Sequence, residues 1–293
     1  MSEPQMGILD GIPSHGRYLF FDLLADADPG PVLRSLATLV DGAATVVGLG
    51  ASTVARLGCE IAGLHELPAH AGAGAVVPTT PTALWLWLRG TDRGELFHRG
   101  RTFTRVLAPA FRVTATVDSF EYSGGRDLSG YEDGTENPTG KDALAAAFVS
   151  GRGEGLDGAS FVAVQVWHHD LDRFRGLGEK AGDLIIGRAL ADNEELSDAP
   201  ASAHVKRTAQ ETFDPPAFVL RRSMPWVDGE AHGLVFVAFG HSLDAFEALL
   251  AKMVGADDGV VDGLFRFTRP LTSAALWCPP TQGGRLDLSA VGL

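Results

Sequence analysis

Two cysteines, Cys59 and Cys278, are all that the 293 residues contain, which excludes a disulfide framework and a thiolate zinc site. A reducing compartment suits such a chain. Positive charge is also scarce, since 24 lysines and arginines stand against 37 aspartates and glutamates for a net charge of −13. The basic footprint that phosphate neutralisation requires is missing, so neither nucleic acid nor an anionic membrane is expected as a partner. The opening MSEPQMGILDG has no basic n-region and no apolar h-region, and no apolar run approaches the roughly 18 residues of a spanning helix. A cytoplasmic protein is the expectation. What is present is ordinary for a folded domain: 45% apolar and 21% charged residues, in a length that suits two domains or one large one.

The apolar period switches between 2 and 3.6 in the same order twice along the chain. In the first series, strand-like runs at Tyr18 to Leu24, Ala44 to Leu49, Leu84 to Leu88 and Val113 to Val117 enclose two helical stripes. One stripe is Val32, Leu33, Leu36, Leu39 and Val40, stopped by Gly42, and the other is Leu96, Phe103, Val106 and Leu107, closed by Pro109. The second series has a strand at Ser160 to Trp167, a helix from Leu171, a polar loop from Asn193 to Ala203, and strands at Phe218 to Arg222 and Leu234 to Phe239. A helix through Leu243, Phe246, Leu249, Leu250 and Met253 follows, with Ser242 as N-cap and Gly255 as its end, before a last strand at Ala274 to Cys278. Each half therefore reads as a split β-α-β motif, the ferredoxin-like order. The fold class is α+β, with two ferredoxin-like domains built on antiparallel sheets, at 1–123 and 158–293. The connection 124–157, rich in Gly, Pro and Asp, is too long for an ordinary loop and reads as a linker or a functional loop.

Within that connection stands Gly130-Tyr131-Glu132-Asp133-Gly134-Thr135-Glu136-Asn137-Pro138. Its composition describes a solvated turn, or a loop whose glycines bring backbone close to a bulky ligand while Asp133 enters a pocket. His204, in AHVKR, is either structural or a metal ligand. Arg221 and Arg222 sit on a strand-like run, so alternation turns them to opposite faces, and whichever points inward calls for an anion. Other signals are weaker. Gly48-Leu49-Gly50 lacks the third glycine of a dinucleotide loop. His168, His169, Asp170 and Asp172 fall at a strand-to-helix junction where Asp is an ordinary cap, and Trp85 and Trp87 read as core.

Taken in order, GYEDGTENP with its GxxDG core, the preceding Arg126-Asp127-Leu128-Ser129, then IIGRALADNEELSD, AHVKRT, LRRSMPW, HGLVFVAFG and FRFTRPLTSA make the chain resemble the dye-decolourising peroxidases, especially their bacterial B-type branch. The likeness runs from about Arg126 to the end; the first half matches mainly in pattern, with Thr79-Thr80-Pro81 as a local match. The resemblance implies haem b in the C-terminal half, with His204 as proximal iron ligand and Asp262 accepting the other imidazole N–H. It also implies Asp133 as the distal acid and Arg221 as the distal arginine, and makes Arg188 and Arg207 candidates for the haem propionates. Gly134, Thr135, Glu136 and Phe236, from the matching segments, complete the cofactor-binding set.

By the same resemblance the protein is a peroxidase that reduces hydrogen peroxide through an oxoferryl porphyrin radical and oxidises dyes, phenols or other small aromatic donors in one-electron steps. A homo-oligomer is expected. Asp133 would carry a proton from one peroxide oxygen to the other, and Arg221 would stabilise the departing charge and hold the Asp133 carboxylate ionised into the acidic range. Ser223 stands where many B-type members have Asn, and its shorter hydroxyl reaches less far. Two other uses of such a pocket are haem carriage or storage, and removal of iron from haem.

Overall fold

A computed structural model describes residues 2–72 and 74–293. In the N-terminal half four strands, β1 (His15–Leu23), β2 (Thr45–Leu49), β3 (Leu84–Gly90) and β4 (Phe111–Phe120), pair antiparallel in the order β4-β1-β3-β2. The C-terminal half repeats that order as β8-β5-β7-β6, from β5 (Ser160–His169), β6 (Met224–Asp228), β7 (Ala231–Gly240) and β8 (Ala274–Cys278). Both are ferredoxin-like, as the twice-repeated periodicity predicts. The sheets are not separate, however. Trp277 of β8 pairs with Leu49 of β2, and Ser119 of β4 with Trp226 of β6, so the eight strands close into a ring. Edge strands that would otherwise present unpaired N–H and C=O groups meet each other at these two seams.

Closure explains why the strands read apolar on both faces. Residues of one parity, among them Tyr18, Phe20, Trp85, Trp87, Val162, Val164, Val237 and Leu276, pack inside the ring. Those of the other parity, such as Leu19, Phe21, Leu84, Leu86 and Leu88, meet the helices outside. Trp85 and Trp87 are fully buried and stack on either side of Tyr18, the core role expected of them. Outside the N-terminal sheet lie α1 (Gly30–Leu39) and, after the short α2 (Ala51–Arg56), the fifteen-residue α3 (Arg93–Leu107). Asp92 caps α3 by accepting from the Glu95 N–H at 2.8 Å.

The connection 124–157 is not wholly loop, because α4 (Gly140–Ala147) lies within it. Its Ala143 and Ala147 pack with the interior of the ring, a small-residue contact that the surrounding Gly and Pro mask in the sequence. The helix expected from Leu171 is two, α5 (Leu171–Gly176) and α6 (Glu179–Ile186), separated where Gly178 takes φ +81°. The expected strand at Phe218 to Arg222 shrinks to Leu220–Arg221, and pairing resumes in β6 despite Pro225, on a strand that meets β4 at a single residue pair. After α7 (His204–Arg207), the last helix, α8 (Asp244–Met253), has Leu243 rather than Ser242 at its N-cap position. The Ser242 hydroxyl still accepts from the Asp244 N–H, at 3.3 Å.

Candidate active site

In the C-terminal half the chain between β5 and β6 stands off the sheet and leaves a cleft of about 440 Å³. Its floor is the outward face of the sheet, with Gln165, Trp167 and His169 from β5, Leu234 and Phe236 from β7, and Arg221. Opposite lie His204 of α7 and Phe246, Leu249, Leu250 and Met253 of α8, and the segment Tyr131 to Glu136 closes one side. Apolar walls with a few converging polar groups are what a large, flat, mainly apolar cofactor requires.

The His204 ring is held at one nitrogen. Its Nδ1 lies 2.8 Å from Oδ2 of the buried Asp262, whose Oδ1 accepts from the Leu264 N–H at 2.8 Å. With Nδ1–H donated to a carboxylate that is itself held by backbone, the ring orientation is fixed and the Nε2 lone pair is left for the cleft. Asp262 does not line the cleft; it acts through His204.

The loop carrying Asp133 is folded back on itself. The Asp133 N–H donates to the Gly125 carbonyl at 3.0 Å, the Asp127 N–H to Tyr131 at 2.9 Å, and Arg126 reaches the Gly130 carbonyl at 2.7 Å. Gly130 and Gly134 take φ of +98° and +78°, which side chains disfavour, so both glycines of the signature are there for backbone reasons. Two side chains then fasten the loop to the strand bearing Arg221. Asn137 accepts from the Arg221 N–H at 2.8 Å and donates to the Arg221 carbonyl at 3.1 Å. Gln210 donates to the Glu136 carbonyl at 3.0 Å and accepts from the Val219 N–H at 2.9 Å.

Burial pushes the Asp133 carboxyl above the usual carboxylate range; Arg221 and His204 oppose the shift, and Asp127 adds to it. The expectation that Arg221 holds Asp133 ionised well into the acidic range is therefore corrected. Removing the carboxylate from water outweighs the guanidinium's attraction.

Gly134, Thr135, Glu136, Arg188 and Phe236 all line the cleft with Asp133, His204 and Arg221. Arg188 sits at the rim, paired with Glu136 at 2.5 Å and donating to the Asn193 carbonyl at 2.9 Å. Two expected residues lie elsewhere. Arg207 is 3% exposed and does not line the cleft; its guanidinium is held by Asp258 at 2.8 Å and by the Lys252 carbonyl. Ser223 is buried outside the main cleft, beside a small void that also touches Asp133, and its hydroxyl is 3.4 Å from the Val237 N–H. Arg222 does take the face opposite Arg221, but its partners are the carbonyls of Ile8, Leu9 and Asp10 rather than an anion. Among the described residues no group of three or more His, Cys, Asp or Glu gathers as a metal site. In the His168–Asp172 segment, Asp170 caps α5 from 2.9 Å and His169 pairs with Asp127 at 3.0 Å.

The sequence names Asn137 and Asp127 only within their segments and His169 only as a weak signal, never Asp127 with His169 as a pair, and it does not single out Gln210. Asn137 had a signal, its place in the GYEDGTENP signature. For Gln210, Asp127 and His169 periodicity supplies none, because their partners are 42 or 74 residues away or are main-chain atoms.

A closed pair of ferredoxin-like sheets, with a carboxylate-backed imidazole facing an acid and a guanidinium across an apolar cleft, defines a peroxidase-type cofactor pocket. The model of the Dyp-type peroxidase C-terminal domain matches residues 124–283. A dye-decolorizing peroxidase of Rhodococcus erythropolis is 30% identical over 95% of this chain and 84% of its own length. A Dyp-type peroxidase structure from Shewanella oneidensis superposes with a TM-score of 0.87 at 26% identity, over 99% of this chain and 98% of that one. A variant of DypB from Rhodococcus jostii RHA1 in complex with heme gives 0.83 at 26% identity, over 94% and 96%. The chain belongs to the dye-decolorizing peroxidase family, and it is a peroxidase.

Proposed function

We infer that the protein is a B-type enzyme that uses haem b to reduce hydrogen peroxide at the expense of dyes, phenols or other small aromatic donors. The observation that carries this reading is the pairing across one cleft of His204, its Nδ1 committed to Asp262, with Asp133 and Arg221. Haem carriage needs the histidine and the apolar walls, but it has no use for a buried acid set beside a guanidinium.

His204 would hold the iron through Nε2, and Arg188, at the rim, would receive a propionate in exchange for part of its pairing with Glu136. Haem b, when bound, supplies two-electron reduction of the peroxide O–O bond and takes the electrons back singly from donors. The rest belongs to the chain. An Asp133 carboxylate oxygen takes the proton from the peroxide oxygen nearer the histidine and returns it to the far one, which leaves as water. Arg221 offsets the negative charge on that leaving oxygen. Because burial raises the Asp133 pKa, the ionised form that accepts a proton is lost at a higher pH than for an exposed carboxylate, so the acid limb of the peroxide reaction lies above the ordinary carboxylate range. Self-association in solution and a cytoplasmic setting belong to the same reading, the latter resting on two free cysteines.

Adding hemin to the purified protein tests the proposal. The wild type should give a ferric haem spectrum that one equivalent of peroxide changes and a donor dye restores, while His204→Ala should lose or alter it. A protein that stays colourless with hemin, or a His204→Ala variant with an unchanged ferric spectrum, would overturn the assignment.

A further inference from the structure

His169 ends β5 at the margin of the cleft floor, 5% exposed, with both ring nitrogens engaged. Nδ1 lies 2.6 Å from the Thr268 hydroxyl oxygen, and that hydroxyl gives its only proton to the His168 carbonyl at 2.9 Å. The Thr268 oxygen is therefore the acceptor and Nδ1 the donor. Nε2 lies 3.0 Å from Asp127 Oδ2, and Asp127 Oδ1 accepts from the Ser129 N–H at 2.8 Å. Burial works against a charge on Asp127, but the hydrogen bonds and charge of His169 and the contacts from Ser129 outweigh it, and its pKa falls. An ionised Asp127 cannot donate, so Nε2 does. His169 is thus fastened at both nitrogens, to the sheet through Thr268 and to the loop through Asp127.

This hydrogen-bonded pair lies at the base of the loop that carries Asp133, since Asp127 also closes the turn through Tyr131. We propose that Asp127 and His169 form a positioning pair for Asp133: His169 pins the loop to the sheet through Asp127, and the Asp127 charge, balanced by His169, sets how readily Asp133 gives and takes a proton. The groups facing Asp133 are few enough for this balance to matter. Arg221 comes from the strand, His204 from α7, and Asp127 from the loop itself, with Glu121, Tyr122 and Arg126 around the small void on its other side. His169 in turn faces Asp127, with His168 and Asp170 as its chain neighbours. This inference rests on the peroxidase reading only for the significance of Asp133.

Two isosteric variants separate a charge-setting role from a merely structural one, because they change the local charge in opposite directions. Asp127→Asn removes a negative neighbour and should lower the midpoint at which Asp133 titrates, whereas His169→Gln leaves Asp127 uncompensated and should raise it, each by on the order of one pH unit. The midpoint is read in the haem-free protein from the carboxyl signal of Asp133 by carbon-13 NMR, assigned by its loss in Asp133→Asn. Thr268→Val, which removes the acceptor of Nδ1–H, should shift the midpoint as His169→Gln does but less, and it provides the reading if the other two do not fold. In the haem-loaded protein the acid limb of the peroxide reaction should move with the midpoint. Shifts of the same sign in the two variants, or no shift, would overturn the proposal. If hemin fails to bind while the opposite shifts persist, the peroxidase reading falls and the pair stands.

Discussion

The two halves of this molecule share one topology and differ in what covers the outer face of the sheet. In the N-terminal half the connection between β1 and β2 is short, and α1 and α3 lie flat on the strands, so Leu33, Leu36, Leu96, Phe103 and Leu107 fill the space with almost no exposure. In the C-terminal half α8 occupies the place of α3, but residues 170–223 contain no helix longer than eight residues and arch over the sheet. One half spends its outer face on a core; the other keeps it as a cleft. The difference lies in the connection, not in the strands, which is the usual division between scaffold and site.

The largest effect should come from emptying the cleft of its distal chemistry. Replacing Asp133 with Ala and Arg221 with Leu together should slow the reaction with peroxide by about 10² to 10⁴, the range for losing a positioned proton carrier with its charge partner. Stopped-flow absorbance of the haem-loaded variant measures this, and an unaffected rate would remove both residues from the mechanism. The matching experiment on the filled half is Leu36→Ala. It should cost about 2 to 5 kcal/mol of stability, as for other fully buried leucines, and leave hemin uptake intact; chemical denaturation and a hemin titration read the two quantities. If Leu36→Ala abolished uptake while sparing stability, the division between the halves would be wrong.

Asp262→Asn should have a smaller effect, confined to the cleft. Asn can still accept from the His204 Nδ1–H, but it carries no charge, so the ring is held while its donor strength falls. Weakening of hemin affinity by about 10 to 100-fold is expected, in line with losing an outer partner of a metal ligand. Equal affinity for the wild type and the variant, measured by Soret titration, would show that the charge of Asp262 behind the 2.8 Å contact adds nothing to the hold on haem.

Most of the architecture was legible in the sequence, because strand and helix periods are local and both halves repeat them. Closure of the ring was not, since the seams consist of one residue pair each, Trp277 with Leu49 and Ser119 with Trp226, and nothing local distinguishes those residues from other core positions. The cleft's central residues, His204, Asp133 and Arg221, were legible through the resemblance, while Arg207 was not excluded because its partner Asp258 lies 51 residues away. The sign of the Asp133 shift was missed for a related reason. A charge partner is visible in a motif, but burial is a property of the whole fold.

That sign leads to the subtlest contrast between the halves. In the folded protein the Asp133 pKa lies above its unfolded value, so the unfolded chain ionises this carboxyl more easily than the native state does. The stability linked to this group is fully present only below the unfolded carboxylate value of ~4, and it is lost as pH rises through the folded value. Asp133→Asn should therefore stabilise the haem-free protein at neutral pH, and the gain should fade on acidification. At neutral pH the same replacement at Asp118, in the filled half, should have the opposite sign. Its carboxylate is paired at the surface with Arg17 and Arg93, each at 3.1 Å, so Asp118→Asn removes favourable pairs and should cost at most ~1 kcal/mol, less at high salt. Urea unfolding of both variants at neutral pH and below pH ~4 tests the pair of signs. A loss of stability in Asp133→Asn at neutral pH would mean that the attraction of Arg221 exceeds the cost of burial after all.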